Sequence, residues 1–321
     1  MILRQLGTTD ISVSPISLGG WPIAGMTSAD VNDRDSLATI EACFELGINF
    51  LDTAYCYGMN GESETLIARA LGRKRDKMVI ATKGGIHWEP PRTQVIDGRP
   101  ETLRRECETS LRRLQTDRVE LYYLHAPDPK VPIAESAGGI KELIDQGKVR
   151  TAGVSNVTLA QLNEFAVVCP LTAYQPPYNM LQREIEADTL PWCIEHRVSV
   201  CVYWPLMKGL LAGRIPREHV FPTTDSRHKY PMFQGDEWRK NSDFVEELQA
   251  IANDVGRTVA ELVLNWTIHR PGVTAALCGA KRPEQIRENA RGMGWRLTAD
   301  QLARIDAGIE RRGQPVTRAA V

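Results

Sequence analysis

Residues 35–52, DSLATIEACFELGINFLD, hold the unit from which the rest of the chain is read. From Asp35 to Leu46 apolar residues recur at helical spacing, and Gly47 stands where a helix C-cap belongs. Ile48–Leu51 is then a short apolar run of strand length, closed by Asp52. The same succession recurs in both directions. Apolar runs at Ile16–Leu18, Ile48–Leu51, Met78–Thr82, Val119–Leu124, Val149–Val154, Leu171–Tyr174, Val198–Tyr203 and Val273–Leu277 are candidate strands. Amphipathic segments at Asp35–Leu46, Glu62–Leu71, Pro100–Leu114, Ile133–Gln146, Thr158–Val167, Glu184–His196, Ser242–Val255, Thr258–His269 and Pro283–Arg291 are candidate helices. Pro100 suits a first helical turn, Thr158 an N-cap, and Gly72 and Gly147 close their helices as Gly47 does.

Strand and helix alternating eight times predict an α/β fold of parallel strands with helical crossovers. Eight units favour a closed (β/α)8 TIM barrel over an open sheet. An open dinucleotide-binding sheet should carry G-x-G-x-x-G after its first strand; Gly19-Gly20-Trp21-Pro22 is the nearest approach, and its spacing is wrong. Residues 2–13 are expected to form an N-terminal β-hairpin closing the barrel bottom, with extra helices toward the C-terminus. No linker is visible, so 1–321 reads as a single domain. Arg214–Lys240, rich in Pro, Gly and charge, reads as a long loop, and the tail after Arg311 is expected to fray.

With 42% hydrophobic and 25% charged residues the chain can bury a full core, which excludes disorder. A formal charge of −1 gives no electrostatic case for nucleic acid or an anionic membrane as partner. Seven widely spaced cysteines without C-x-x-C argue against a disulfide scaffold or zinc ribbon and for a reducing compartment. MILRQLGTTDISVSP lacks the basic and apolar regions of a signal peptide, and no apolar run approaches a membrane span. The expectation is a cytoplasmic protein; no heptad pattern specifies an oligomer, so the assembly stays open.

In such a barrel the chemistry sits at the C-terminal rim of the strands. Asp52, Lys83, His125, Ser155, Asn156, Gln175 and Tyr203 follow or end successive apolar runs, and the loop after Asp52 carries Tyr57. Singly, each has an ordinary reading: the Asp a helix cap, the Lys a surface charge, the His a structural residue, the Tyr loop packing. Jointly, they converge on one rim. One His and one Asp make a poor metal set, so no metal is expected. No G-x-S-x-G elbow or pair of rim carboxylates supports hydrolysis. A Schiff-base aldolase on Lys83 is a competitor, although Asp52 beside it favours the charged amine. Asp, Lys and Tyr together suit proton transfer to a carbonyl: an ammonium lowers the phenol pKa, and Asp52 supplies its counter-ion. His125 can hydrogen-bond the carbonyl oxygen. Aromatics after rim strands, Trp21, Tyr55 and Trp88, are candidates for a substrate pocket.

Gly47-Ile48-Asn49-Phe50-Leu51-Asp52-Thr53-Ala54-Tyr55-Cys56-Tyr57-Gly58 with Gly61-Glu62-Ser63-Glu64, Ile80-Ala81-Thr82-Lys83 and Leu121-Tyr122-Tyr123-Leu124-His125 resemble motifs of the aldo-keto reductase superfamily, and the resemblance covers nearly the whole chain. It implies a nicotinamide-dependent oxidoreductase acting reversibly on an aldehyde, ketone or sugar, with Tyr57 as general acid or base, Lys83 and Asp52 tuning it, and His125 binding the carbonyl. Gly153-Val154-Ser155-Asn156 resembles the family's Gly-Val-Ser-Asn and implies that Ser155, Asn156 and Gln175 hold the nicotinamide carboxamide, with Tyr203 stacked on the ring. Trp204 departs from the pattern, since serine usually stands there. Leu206 and the Gly209–Arg214 loop are implied over the pyrophosphate. Cys278 to Asn289 resembles the adenosine site: Gly279 and Ala280 for close backbone approach, Lys281, Arg282 and Gln285 near a 2′-phosphate, Glu288 and Asn289 on adenine. The basic pair favours NADPH/NADP+, with NADH an alternative. The rival to an enzyme is a non-catalytic NADPH-binding regulatory subunit, as some proteins resembling this family are.

Overall fold

A computed structural model describes residues 2–26, 30–223 and 225–316. In chain order the strands are β1 (Arg4–Gln5), β2 (Ser12–Val13), β3 (Ile16–Gly19), β4 (Phe50–Asp52), β5 (Val79–Gly84), β6 (Ile86–Glu89), β7 (Thr93–Ile96), β8 (Val119–Leu124), β9 (Val149–Ser155), β10 (Leu171–Gln175), β11 (Ser199–Tyr203) and β12 (Val273–Gly279). The α-helices are α1 (Asp33–Glu45), α2 (Glu62–Leu71), α3 (Pro100–Leu114), α4 (Ile133–Asp145), α5 (Leu159–Val168), α6 (Thr189–Glu195), α7 (Gly235–Asp254), α8 (Val259–Ile268), α9 (Pro283–Ala290) and α10 (Ala299–Arg312). Eight strands, all parallel, close into a barrel in the order β3-β4-β5-β8-β9-β10-β11-β12.

Strand alternation divides the core into two layers. Phe50, Val79, Ala81, Leu121, Tyr123, Ala173, Cys201 and Ala275 fill the barrel interior, while Leu51, Ile80, Tyr122 and Leu124 face the helices. The antiparallel β1–β2 hairpin plugs the bottom, and its Leu6, Ile11 and Val13 join the interior cluster. Gly153 of β9 is required by packing, because a Cβ there would lie 2.4 Å from the Tyr123 ring.

Several helix ends are set by local chemistry. Thr158 accepts from the Gln161 amide in a capping box, Thr298 caps α10 in the same way, and Thr258 caps α8 by accepting from the Glu261 amide. Gly47, at φ +72°, turns the chain out of α1 as its position predicts.

The differences from expectation have physical causes. Glu184–His196 is not one helix: Asp188 caps Thr189 and separates a short 3-10 turn, Glu184–Ala187, from α6. α7 begins at Gly235 rather than Ser242, with Asp236 and Glu237 in its first turn and Trp238 packed on Phe221 and Phe233. The Arg214–Lys240 loop is therefore shorter, and 3-10 turns at Ser226–Lys229 and Pro231–Phe233 occupy part of it. The chain after Arg311 is held as far as residue 316: Arg312 is buried, pairs with Glu237 and donates to Asn241, and the Val316 amide also donates to Glu237. Residues 317–321 of that tail lie outside the described residues. The hairpin β6–β7 was not anticipated; Pro90-Pro91 and the polar strand Thr93–Ile96 do not make an apolar run.

Candidate active site

Asp52 ends β4 in register with Gly19 of β3 and Ala81 of β5, which places its side chain at the C-terminal rim. Lys83, on β5, is fully buried and donates from Nζ to Asp52 Oδ1 at 2.6 Å, to the Thr53 carbonyl at 2.7 Å and to Tyr57 Oη at 3.2 Å. The loop that brings Tyr57 back to Lys83 is stitched by the backbone: Tyr55 N donates to Lys83 O at 3.0 Å and Tyr57 N to Ala54 O at 3.0 Å. On the far side of Asp52, Gln175 of β10 donates from Nε2 to Oδ2 at 2.8 Å. Asp52 is thus an acceptor on both oxygens inside the barrel.

Burial dominates the protonation of this cluster. It pulls the Asp52 carboxyl up, against the lowering pull of Lys83 and Gln175. Tyr57 is partly exposed as a residue, yet its hydroxyl sits against an Nζ that solvent does not reach. Desolvation, followed by the Asp52 charge, pushes the phenol well above its ordinary value. The lowering expected from Lys83 is therefore outweighed, and Tyr57 is a phenol through the neutral range. His125 moves oppositely: burial first, then Lys83, holds its imidazole well below the usual value and neutral.

His125 is positioned by its own amide, which donates to Gly84 O at 2.9 Å, and its Nδ1 lies 3.6 Å from Cys56 Sγ. Burial pushes the Cys56 thiol up to about 12, so the thiol is protonated and can donate to Nδ1. A thiol donating to Nδ1 would leave the proton of the neutral ring on Nε2. The Tyr57 ring meets His125 edge-on at 5.9 Å and Trp21 edge-on at 5.2 Å. Trp88, on β6, donates from Nε1 to the Cys56 carbonyl at 2.8 Å and packs with Tyr57, Ile86, Ile96 and Ala126. Trp21 and Trp88 therefore stand beside the Tyr57–His125 corner. Tyr55 does not: Arg113 of α3 stacks on its ring at 4.5 Å and binds its carbonyl at 2.9 Å, between barrel and helix. Thr53, Cys56 and the β6–β7 hairpin are parts of the site that the motif pattern did not single out.

The cofactor candidates occupy the neighbouring arc of the rim. Ser155 Oγ donates to Gln175 O at 2.7 Å; Asn156 Nδ2 donates to His125 O at 2.9 Å; Tyr203 Oη donates to Asn156 Oδ1 at 2.8 Å. Asn156, Trp204, Met207 and Lys208 all have positive φ, between 45° and 59°, a strained conformation for residues with side chains. Trp204 carries the Lys208 ammonium 4.3 Å over its ring and stands edge-on to Tyr203 at 5.3 Å, so it builds an aromatic wall where a hydroxyl was the family expectation. The segment Met207–Ala212, containing Gly209, follows Leu206 as a tight turn. Arg214, just beyond, pairs with Glu288 at 2.7 Å and bridges the loop to α9.

At the far end, Gly279 and Ala280 leave β12, and a Cβ on Gly279 would strike Pro22 at 2.8 Å. Gln285 Oε1 accepts from the amides of Lys281 and Arg282 at 2.8 and 3.3 Å. Gln285 is thus a cap, and those amides are committed within the chain. Glu288 and Asn289 are buried, and Glu288 Oε1 and Asn289 Nδ2 have no hydrogen-bond partner. A buried acceptor and a buried donor, each left open near the end of the same helix, suit the amine and ring nitrogens of adenine. The residues at the rim accordingly fit a dinucleotide lying from Tyr57 to Asn289. Among the described residues no group of three or more His, Cys, Asp or Glu could hold a metal, and no helix is long and apolar enough to cross a membrane.

The description "Aldo/keto reductase family" belongs to a family model that matches residues 15–310. The chain is 36% identical to aldo-keto reductase YhdN of Bacillus subtilis (strain 168), over 97% of this chain and 94% of that one. It is 34% identical to an NADH-specific methylglyoxal reductase of Escherichia coli (strain K12), over 91% and 94% of the two chains. A solved glycerol dehydrogenase from Gluconobacter oxydans superposes with a TM-score of 0.91 at 35% identity, covering 99% of this chain and 98% of that one.

Proposed function

Because the chain belongs to the aldo/keto reductase family, we propose that it catalyses reversible carbonyl reduction with a nicotinamide dinucleotide, using Tyr57 as the proton donor. The observation that carries this reading is the Lys83 ammonium, held at once by Asp52 Oδ1 at 2.6 Å and Tyr57 Oη at 3.2 Å. When bound, the dinucleotide supplies or accepts hydride at its nicotinamide ring. Ser155, Asn156, Gln175 and Tyr203 hold that ring end; Leu206, Gly209 and Arg214 cover the pyrophosphate; Gly279, Ala280, Lys281, Gln285, Glu288 and Asn289 frame the adenosine.

In the reduction direction the carbonyl oxygen lies between Tyr57 Oη and the Nε2 proton of His125. As negative charge grows on that oxygen, the Tyr57 phenol gives up its proton, and the resulting phenolate is stabilised by Lys83. Asp52 and Thr53 O keep Lys83 Nζ aimed at the phenol. His125 contributes a hydrogen bond rather than a charge, since burial keeps it neutral. Trp21 and Trp88 limit access of water and shape the pocket. Lys83 is poorly suited to Schiff-base chemistry: its three donor directions are used, so no lone pair faces a carbonyl.

The test is the Tyr57→Phe protein. Dinucleotide binding, read by quenching of tryptophan fluorescence, is expected to persist, with turnover of an aldehyde reduced about 100-fold or more. Full turnover by that variant would remove Tyr57 from the mechanism. One or no turnover by the wild type would favour a non-catalytic binding protein. The substrate panel begins with methylglyoxal and glycerol, after the relatives' activities. Family membership leaves the dinucleotide open, since one relative is named as NADH-specific. The Lys281–Arg282 pair favours NADPH. The reading further takes residues 1–321 as one domain acting in the cytoplasm, with oligomeric state a matter for measurement.

A further inference from the structure

The two cations proposed to meet a 2′-phosphate are already matched by carboxylates of the chain. Asp30 spans them: Oδ1 lies 2.5 Å from Lys281 Nζ and Oδ2 lies 3.1 Å from an Arg282 guanidinium nitrogen. Asp35, in the first turn of α1, adds a third contact, 3.9 Å from Arg282 Nε. The juxtaposition is built into the fold. Helices α1 and α9 pack side by side, and Arg287 of α9 pairs with Glu45 of α1 at 2.9 Å at the other end of the contact. The acidic N-terminal end of α1 is thereby held against the start of α9.

We infer that Asp30 sets dinucleotide preference by competing with the 2′-phosphate of NADPH for Lys281 and Arg282. The inference rests on the reading that this rim binds a nicotinamide dinucleotide. A 2′-phosphate brings between one and two negative charges and acceptor oxygens that want the same N–H groups. It can reach them only by displacing the Asp30 carboxylate. The amides of Lys281 and Arg282 offer no substitute, because Gln285 Oε1 occupies them. NADH carries a hydroxyl at that position and has no need of the cations. Asp30 and Arg282 are each about half exposed, at 50% and 49%, so the contact exchanges readily and acts as a bias rather than a block. The chain thus carries a phosphate site with its own counter-ion, which narrows the advantage that the basic pair alone gives to NADPH.

The experiment is fluorescence titration of wild type, Asp30→Asn and Lys281→Ala with NADPH and with NADH. Asp30→Asn is expected to tighten NADPH roughly threefold to tenfold, the range for removing exposed competing ion pairs, and to leave NADH within about twofold. Lys281→Ala is expected to weaken NADPH alone. Equal shifts for both dinucleotides, or none, in Asp30→Asn overturn the competition. Weaker NADH binding would make Asp30 a ribose ligand and overturn it too. Unchanged NADPH binding in Lys281→Ala would place the phosphate elsewhere. If wild type bound neither dinucleotide, the underlying reading would fall with it.

Discussion

Gln175 and Asp52 meet across the full width of the barrel, Nε2 to Oδ2 at 2.8 Å, from strands that stand opposite one another in the closed sheet. The bond ties the proposed nicotinamide shelf to the ion pair that orients Tyr57. It also opposes the rise that burial imposes on the Asp52 carboxyl. Gln175→Leu should therefore raise that carboxyl further and shift the acid limb of kcat/KM to higher pH. An acid limb unmoved in the variant would show that Asp52 does not depend on Gln175.

The two directions of the reaction should respond oppositely to pH. Tyr57 titrates well above its ordinary value, so the phenol needed for reduction is present throughout the neutral range. Reduction should be level there and fall only at strongly alkaline pH. Oxidation needs the phenolate as base, so its rate should climb about tenfold per pH unit below that pKa. Because His125 titrates well below its usual value, its protonation should not break the neutral plateau. Profiles of kcat/KM in both directions check this.

Glu106 gives a stability prediction away from the chemistry. It is buried, accepts from the Gly85 amide at 2.7 Å and lies 2.9 Å from His87 Nδ1, at the root of the β6–β7 hairpin. Burial pushes its carboxyl up to about 8 from 4.5. The folded protein keeps a proton there that the unfolded chain releases, so stability falls as pH rises from about 4.5 to about 8. Glu106→Gln should remove that loss, which is on the order of a few kcal/mol. Thermal melts should show the variant gaining on wild type from pH 5 to pH 9; parallel curves would refute it.

Arg312 should be a stability residue rather than a loose end. Its side chain is 1% exposed and joins α10 to Glu237 and Asn241 of α7. Arg312→Ala removes the charged partner that half-buried Glu237 shares with the Val316 amide, and with it the bond to Asn241, a change that costs about 1–3 kcal/mol. Chemical denaturation should record that loss, with kcat of the folded fraction unchanged.

Much of this molecule was determined by the sequence alone. Eight apolar runs, spaced by amphipathic segments, specified the barrel because a parallel strand buried on both faces and a helix covering it leave distinct periodicities. The order of polar residues after those runs placed Asp52, Lys83 and His125 on one rim, since strand direction in a barrel is uniform. Local chemistry marked Thr158 and Gly47 as helix boundaries. Only the tertiary structure decided what lies between residues distant in the chain. Nothing around Tyr55 separates it from Tyr57, yet Arg113 draws one ring toward α3 while Lys83 holds the other hydroxyl at the centre. Burial, which is a property of the assembled barrel, reverses the expected direction for the Tyr57 phenol. Packing of α1 on α9 brings Asp30 onto Lys281 and Arg282, a pairing that spacing could not reveal because ion pairs depend on distance in space and carry no period along the chain.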